Sequence, residues 1–298
     1  MDVLSLVLQG TEVRGQQATI PEPALLAQRL TTVYRRWDRR QRIDLVALAE
    51  GFLHRLGSPD DPLGAACLAA AEAVERWGGH EYHSAHHHAE VATNVMLIAE
   101  LGRWLRSGLD PHAALLLLAS SLAHDLDYEP TPAPAARFDA EVRSARALLR
   151  IADDCGVASA DQRMMSCLIL ATEPGFRGAL RQLGGGVRLH ESLPALLEPI
   201  TVEPILVALA SILSDGDLLS SAGLTQQWHQ VQVSRLERET GRPIGAGDDM
   251  AFLERIVGPG FLSPGGRYFD PNLARLRAAL GRRSRVQSAR IALGTVSA

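Results

Sequence analysis

The 298-residue sequence contains no lysine, because each of its 30 basic residues is an arginine. This absence excludes mechanisms that use a lysine nucleophile or a Schiff base. Together with 34 acidic residues, the arginines leave a net charge of −4, which gives no sign of a nucleic-acid surface. Cysteine is scarce too. Three scattered residues with no C-x-x-C pair indicate a reducing compartment and no disulfide framework.

Aromatic residues make up only 5% of the chain, whereas hydrophobic residues make up 46%. The core must therefore consist mainly of Leu, Ala, Val and Ile, a composition that favours helices. The N-terminus has no basic segment followed by an apolar run, so no signal peptide is expected. The longest apolar run, Ala113–Ala123, is too short to span a membrane. We therefore expect a cytoplasmic protein that is not inserted in a membrane.

Apolar residues recur at helical spacing along most of the chain, without convincing two-residue alternation. The pattern predicts an all-α fold, with a loosely attached arm over residues 1–22 and a single helical domain over 23–298. The predicted helices are Ala24–Trp37, Ile43–Leu56, Leu63–Trp77, one from the histidine-rich stretch to Leu101, Pro111–Ala123, Phe138–Ala152, Ala160–Leu170, Leu196–Leu213, Gln226–Thr240, Met250–Val257 and one from Asp270 to Gly281.

Histidines are concentrated in one place, since five of the ten lie between His80 and His88. His83 and His87 are four residues apart and share one face of a helix. The three consecutive histidines of this stretch cannot all point to one site. By itself the stretch is compatible with a metal site, with an acid beside a metal ligand, or with a polar helix face.

Two further signals come where apolar helices meet ionisable residues. His124 and Asp125 follow the most apolar helix, and unpartnered burial of such groups would be costly. Imidazole nitrogen and carboxylate oxygen are ligands for Zn, Fe, Mn or Mg. A third apolar run leads into Asp215 and Asp217, either of which could supply a fourth ligand. Helical bundles build metal sites from such side chains on facing helices.

The segment Tyr82–Val91 resembles Y-H-N-x-x-H-A-x-D-V, the first motif of the class I cyclic-nucleotide phosphodiesterases. These enzymes are HD-domain metal-dependent phosphohydrolases. The His124-Asp125 pair resembles the family's H-D pair, and Asp217–Ser220 resembles its A-D-L-S-N motif. Two more segments, Ile169–Glu173 and Phe252–Phe261, resemble I-L-A-T-D and F-I-D-x-I-V-x-P-L-F.

These segments follow the family's order over about residues 77–262, and they imply a compact multi-helix HD-domain/PDEase-like bundle. By this resemblance His83 is the general acid that protonates the leaving oxygen. Glu141 is a looser match to an acid that orients water at the metal. The implied metal ligands are His87, His124, Asp125 and Asp217. The implied substrate contacts are Tyr82, Thr172, Asp249, Phe252 and Phe261.

The resemblance also implies one or two divalent ions, with Zn, Fe or Mn at a tight site and Mg or Mn at a second site. The expected reaction is hydrolysis of a phosphodiester, most simply a 3′,5′-cyclic nucleotide, by metal-activated water. Either Glu90 or Glu173 could hold His83 in the right tautomer. The expected partner is a small nucleotide or phosphodiester, with no nucleic acid or membrane, and a homodimer is possible.

The sequence departs from the family at two informative positions. Tyr128 stands where the family has the second histidine of H-D-x-x-H, which puts the second metal in question. Asp249 replaces the glutamine that reads the purine, and a carboxylate only accepts hydrogen bonds whereas an amide also donates. Three alternatives stay open. They are a phosphohydrolase for another phosphoester, a degenerate HD domain that binds nucleotide or metal for regulation, and a metal-buffering surface at residues 80–88.

Overall fold

The computed structural model contains fourteen helices and a two-stranded hairpin in the part of the chain that it describes. That part comprises residues 3–9, 12–14, 17–40, 42–57, 61–105, 109–129, 137–183 and 204–294. The elements are α1 Val3–Val7, β1 Glu12–Arg14, β2 Gln17–Thr19, α2 Pro23–Asp38, α3 Leu45–Leu56, α4 Pro62–Trp77, α5 Ala85–Leu105, α6 Pro111–Ala123, α7 Asp139–Asp154, α8 Ser159–Leu170, α9 Arg177–Leu183, α10 Pro204–Ala222, α11 Gln226–Thr240, α12 Ala246–Phe252, α13 Pro264–Arg267 and α14 Asp270–Gly294.

The all-α prediction is confirmed, and the hairpin is a small addition in which β1 and β2 pair antiparallel over three residues each. Within the segment 1–22, predicted as a loose arm, α1 buries Leu4 and Val7 against the core. The Arg29 side chain of α2 also donates to the Val7 carbonyl at 2.8 Å. This segment therefore packs on the helical body, because it carries apolar residues that the body covers.

Aspartates cap the N-termini of three helices. Asp44, Asp61 and Asp110 precede α3, α4 and α6, and each accepts a hydrogen bond from an amide of the first turn. Proline occupies the first position of α4 and of α6, where its missing N–H leaves no hydrogen bond unmade. The predicted start of α6 at Asp110-Pro111 is confirmed.

Helix α5 lies at the centre of the molecule and packs against α6, α10 and α13. A buried polar network joins it to its neighbours. The Tyr34 hydroxyl of α2 donates to Asn94 Oδ1 of α5 at 2.6 Å, and Asn94 Nδ2 donates to the Gly216 carbonyl of α10 at 2.9 Å. These bonds fix the relative position of three helices that flank the histidine-rich turn.

Helices α10 and α14 end nine or more residues later than predicted. The start of the helix predicted over Leu196–Leu213 lies outside the described residues, but its end is wrong, because α10 continues to Ala222. The prediction failed because Asp215-Gly-Asp217 reads as a break, whereas in the fold Asp215 is fully buried and paired. Similarly, α14 does not close at Gly281 and continues to Gly294.

Helix α10 is also the one described helix long and apolar enough to cross a membrane. However, 72% of its most apolar stretch is buried inside the fold, and the helix carries two aspartates. Both observations are typical of a core helix that also serves a polar site.

Candidate metal centre and catalytic histidine

Two histidines and two aspartates converge where the N-terminal part of α5, the end of α6 and the middle of α10 meet. His124 Nε2 lies 2.9 Å from Asp125 Oδ2 and 3.6 Å from Asp217 Oδ1. His87 Nε2 lies 3.3 Å and 3.4 Å from the same two oxygens. The two Nε2 atoms are 3.2 Å apart. The structure thus brings together all four residues that the resemblance implies as metal ligands.

A local hydrogen bond suits His124 to metal binding, whereas Nδ1 of His87 has no partner among the described residues. His124 Nδ1 lies 2.9 Å from the Ser121 carbonyl, which can only accept, so this nitrogen carries the proton. The lone pair of a neutral His124 is then on Nε2, which faces the cluster. A second hydrogen bond of this kind is a regular feature of metal-bound histidines.

Two buried imidazole nitrogens at 3.2 Å would repel each other as bare lone pairs, and the two partly buried carboxylates beside them add like charge. A divalent cation between them removes both problems, and an N₂O₂ donor set suits Zn, Fe or Mn. Among the described residues, the ligand atoms of His87, His124 and Asp125 all lie within 4.8 Å of one another. The residues present therefore fit a divalent metal.

The electrostatics of the cluster call for positive charge at its centre. Burial alone lowers the pKa of His124, but the carboxylates of Asp125 and Asp217 outweigh burial and raise it well above its usual value. Burial likewise raises the pKa of Asp125, yet His124 and His83 bring it well below its usual range. Both pKa shifts favour a protonated His124 beside an ionised Asp125. The carboxylates of the cluster therefore attract a cation or a proton.

His83 lies beside this cluster, and its orientation is fixed by a glutamate from α11. Its Nδ1 is 2.5 Å from Glu239 Oε1, and Glu239 Oε2 accepts hydrogen bonds from the backbone amides of Tyr82 and His83 at 2.7 and 3.0 Å. His83 Nε2 points towards the cluster, 3.9 Å from Asp125 Oδ2. The His83 ring is therefore held at Nδ1, while its Nε2 faces the cluster.

The sequence did not reveal Glu239, and the two glutamates suggested for this role are committed elsewhere. Glu90 is buried and accepts hydrogen bonds from Arg235, Gln232 and the Trp228 indole. Glu173 pairs with Arg137 at 3.0 Å. The expectation that Glu90 or Glu173 orients His83 is wrong, because their carboxylates bind other side chains. No local pattern points to Glu239, which lies 156 residues from His83.

Tyr128 packs directly on His83. The two rings are stacked, with centroids 3.7 Å apart and planes inclined by 27°. Burial and the nearby carboxylates of Glu239, Asp125 and Glu141 raise the pKa of the Tyr128 phenol above its usual value. The tyrosine that replaces the family's second histidine is therefore a neutral ring covering one face of His83.

Glu141 lies in the first turn of α7 and is partly buried near the cluster. Burial, with the carboxylates of Asp125, Glu173 and Asp217, raises its pKa to about 7. A carboxyl group with such a pKa can exchange a proton near neutral pH. Its role in orienting water stays a prediction, and its position near the carboxylates of Asp125 and Asp217 is compatible with it.

The remaining histidines of the stretch are separate from this site. His86 Nε2 lies 3.1 Å from the Trp37 carbonyl. His88 is fully buried, and its ring packs 5.1 Å from that of His124. Neither ring nitrogen of His88 has a hydrogen-bond partner in the described part of the chain, and burial lowers its pKa well below the usual value. His88 is thus a neutral packing neighbour of a ligand.

The five residues expected to contact substrate lie in different surroundings. The Tyr82 hydroxyl lies 3.1 Å from Ser221 Oγ, next to the cluster. Asp249 lines a cleft of about 900 Å³ between α11, α12 and α14, and its Oδ2 is 3.5 Å from His229 Nε2. Phe261 is buried, with the Arg177 guanidinium over its ring. The Thr172 hydroxyl donates to the Ile169 carbonyl, and Phe252 ends α12.

No protein-family model and no curated protein sequence matches this chain. Solved structures do. The crystal structure of the phosphodiesterase domain of the RhoPDE fusion protein from the choanoflagellate Salpingoeca rosetta has a TM-score of 0.63 at 15% identity, covering 89% of this chain and 99% of that one. The chain has the fold of a phosphodiesterase domain.

A second crystal structure, of the phosphodiesterase domain of the Salpingoeca rosetta rhodopsin phosphodiesterase, gives a TM-score of 0.59 at 16% identity. It covers 93% of this chain and 99% of that domain. The likeness to phosphodiesterases that five short segments predicted is therefore confirmed at the level of the fold. Within this phosphodiesterase-domain fold, His87, His124, Asp125 and Asp217 form one cluster.

Proposed function

We propose that the protein is a metal-dependent phosphodiesterase that hydrolyses a 3′,5′-cyclic nucleotide. One observation supports this most strongly. A histidine bound by a glutamate at Nδ1 directs its other nitrogen towards a cluster of two buried histidines and two partly buried aspartates. That arrangement separates an acid from a cation site, as hydrolysis of an ester with a poor leaving group requires.

In this proposal His87, His124, Asp125 and Asp217 would hold a Zn, Fe or Mn ion, and Asp125 would also be available to a second ion, Mg or Mn. When bound, such ions act as Lewis acids that lower the pKa of water and neutralise charge on phosphoryl oxygens. His124 contributes a fixed tautomer through Ser121. Asp125 and Asp217 remain ionised, because their pKa values are held below the usual range.

His83 supplies the proton. Glu239 accepts from Nδ1, so the imidazolium form of His83 is hydrogen-bonded and charge-paired on that side. Its Nε2–H then donates to the leaving alkoxide as the phosphorus–oxygen bond breaks. Glu141, with a pKa of about 7, is positioned to accept a proton from the attacking water.

The nucleobase is the least constrained part of the proposal, and Asp249 bears on it. His229 Nδ1 lies 2.6 Å from the Ser221 carbonyl and therefore carries a proton, while its Nε2 faces Asp249. An ionised Asp249 carboxylate accepts hydrogen bonds from a ligand and offers it no donor. A base with two adjacent donors, such as the N1–H and amino group of guanine, fits this better than adenine does.

The test is a substrate panel with metal restored. Protein stripped with a chelator is given Mn, Mg or Zn and assayed on cyclic GMP, cyclic AMP, bis(p-nitrophenyl) phosphate and a nucleoside monophosphate. We expect metal-dependent cleavage of a cyclic nucleotide, with cyclic GMP preferred. Turnover of the monophosphate alone would favour a phosphohydrolase of another specificity. Bound metal without turnover of any compound would favour a regulatory binding domain.

Three expectations from the sequence belong to the same proposal. They are a cytoplasmic location, a small-molecule partner and a possible homodimer. The fold supports the small phosphoester partner, since the similar structures are phosphodiesterase domains. Cell fractionation and light scattering of the purified protein test the location and the homodimer.

A further inference from the structure

Tyr128 belongs to a short turn that follows the metal-binding pair at the end of α6. Its amide donates to the Asp125 carbonyl at 3.1 Å, and its own carbonyl lies 3.1 Å from His80 Nε2. The residue before it, Asp127, has a φ of 63°, a left-handed value that is uncommon for residues other than glycine.

The unusual backbone at Asp127 is held from α7. Arg143 Nε donates to the Asp127 carbonyl at 3.4 Å, and Arg150 pairs with its carboxylate at 3.5 Å. A strained residue persists only where its surroundings fix it, and such residues cluster at functional sites. The turn therefore places the Tyr128 ring in one defined position.

The Tyr128 ring lies over one face of the His83 imidazole. Glu239 holds the Nδ1 edge of the imidazole, and the Tyr128 ring is stacked on its face, with ring centroids 3.7 Å apart. The hydrogen bond limits movement within the ring plane, whereas the stack limits rotation out of it. We propose that Tyr128 is a positioning residue that holds the plane of His83, so that Nε2 points at the leaving oxygen.

The inference rests on the proposed role of His83 as the acid. Rings stack through complementary charge, because the face of an aromatic ring is negative and attracts a cation. The side-chain hydroxyl is not needed for this, so the ring alone should be sufficient.

Two substitutions at Tyr128 separate the ring from the hydroxyl. Tyr128→Phe keeps the stack, and Tyr128→Leu removes it at similar volume. We expect Tyr128→Leu to lose about tenfold in turnover of a cyclic nucleotide, a fraction of what general acids typically contribute. Little loss is expected with bis(p-nitrophenyl) phosphate, because its good leaving group needs no proton. Tyr128→Phe should retain most of the turnover on both substrates.

A double-mutant cycle decides whether Tyr128 acts through His83. In a His83→Ala background, Tyr128→Leu should cause no further loss on the cyclic nucleotide. Additive losses, or equal losses on both substrates, would overturn the inference. If Tyr128→Leu alone has full activity while His83→Ala is impaired, the inference fails and the proposed function stands. If His83→Ala is itself fully active, the proposed function fails as well.

Discussion

At the scale of single residues, Glu239 makes the most contacts with the histidine-rich turn. It binds the His83 ring and two backbone amides, and these bonds hold its own pKa below the usual value despite burial. Its carboxylate places a negative charge 2.5 Å from Nδ1 of His83. An amide of the same shape would keep the space filled but would lose the charge.

We therefore expect Glu239→Gln to lower turnover of a cyclic nucleotide by roughly tenfold or more, since charge-assisted hydrogen bonds are about twice as strong as neutral ones. Metal content, measured by mass spectrometry, should stay at the wild-type level. Glu50→Gln is the control, because Glu50 is an exposed glutamate of α3 that takes no part in the site. Equal turnover in both variants would remove Glu239 from the mechanism.

The residues of the site differ in how far the sequence could predict them. His83, His87, His124, Asp125 and Asp217 stand in recognisable segments, and the fold brings the four proposed ligands together. Glu239 and His229 stand in no such segment. Their roles arise only when α11 packs against α5 and α10, a tertiary event with no local signal.

At the scale of elements, the pairing of α5 with α10 determines the site, because these helices carry His87 and Asp217. Gly216 lies at their contact. A Cβ atom at this position would overlap the Val95 side chain and lie 3.1 Å from the Val95 amide nitrogen. The Gly216 carbonyl also accepts the bond from Asn94. The helices can approach this closely only because the position has no side chain.

Gly216→Ala should push the two helices apart. Overpacking of this kind costs typically 1–3 kcal/mol, which chemical denaturation would detect, and metal affinity should fall with it. Gly51→Ala is the matched control, because Gly51 lies in the middle of α3 with no atom within 4 Å of an added Cβ. Alanine there should stabilise the protein by about 0.5–1 kcal/mol. A stable Gly216→Ala variant with unchanged metal affinity would contradict this account.

Helix boundaries could be predicted only where a local signal in the sequence marks them. Caps such as Asp110 with Pro111 are local, and they were predicted correctly. The end of α10 was not, because Asp215 and Gly216 disfavour helix locally and are stabilised there by partners elsewhere in the fold. Tertiary contacts override propensity in this case.

At the scale of the whole molecule, a buried ion pair joins distant segments behind the site. Arg177 of α9 lies 2.7 Å from Asp215 Oδ1. Asp215 also accepts from the amides of Leu262 and Ser263 at 2.7–2.9 Å. One carboxylate thus connects α9, α10 and the segment before α13.

Arg177→Met should leave Asp215 buried without its cation. Breaking a buried pair in this way costs roughly 3–5 kcal/mol of unfolding free energy. The matched control is Arg76→Met, which removes an exposed pair with Glu72 and should change stability by less than about 1 kcal/mol. Similar losses for the two variants would show that burial of the Asp215 pair is not what matters.

Metal binding should also be visible as stability. A ligand that binds only the folded chain at 100 times its Kd adds about 2.7 kcal/mol. We expect Mn to raise the Tm of chelator-treated protein, and to leave the Tm of His124→Ala nearly unchanged. The same rise in both proteins would place the bound ion outside the cluster.

The proposal gives His83 the role of acid and His87 the role of metal ligand, and one paired measurement tests these two roles. Metal content and cyclic-nucleotide turnover are determined on the same preparations of His83→Ala and His87→Ala. We expect His87→Ala to lose both metal and turnover, whereas His83→Ala should keep its metal and lose turnover by about 100-fold or more. Full turnover in His83→Ala, or loss of its metal, would contradict the proposal.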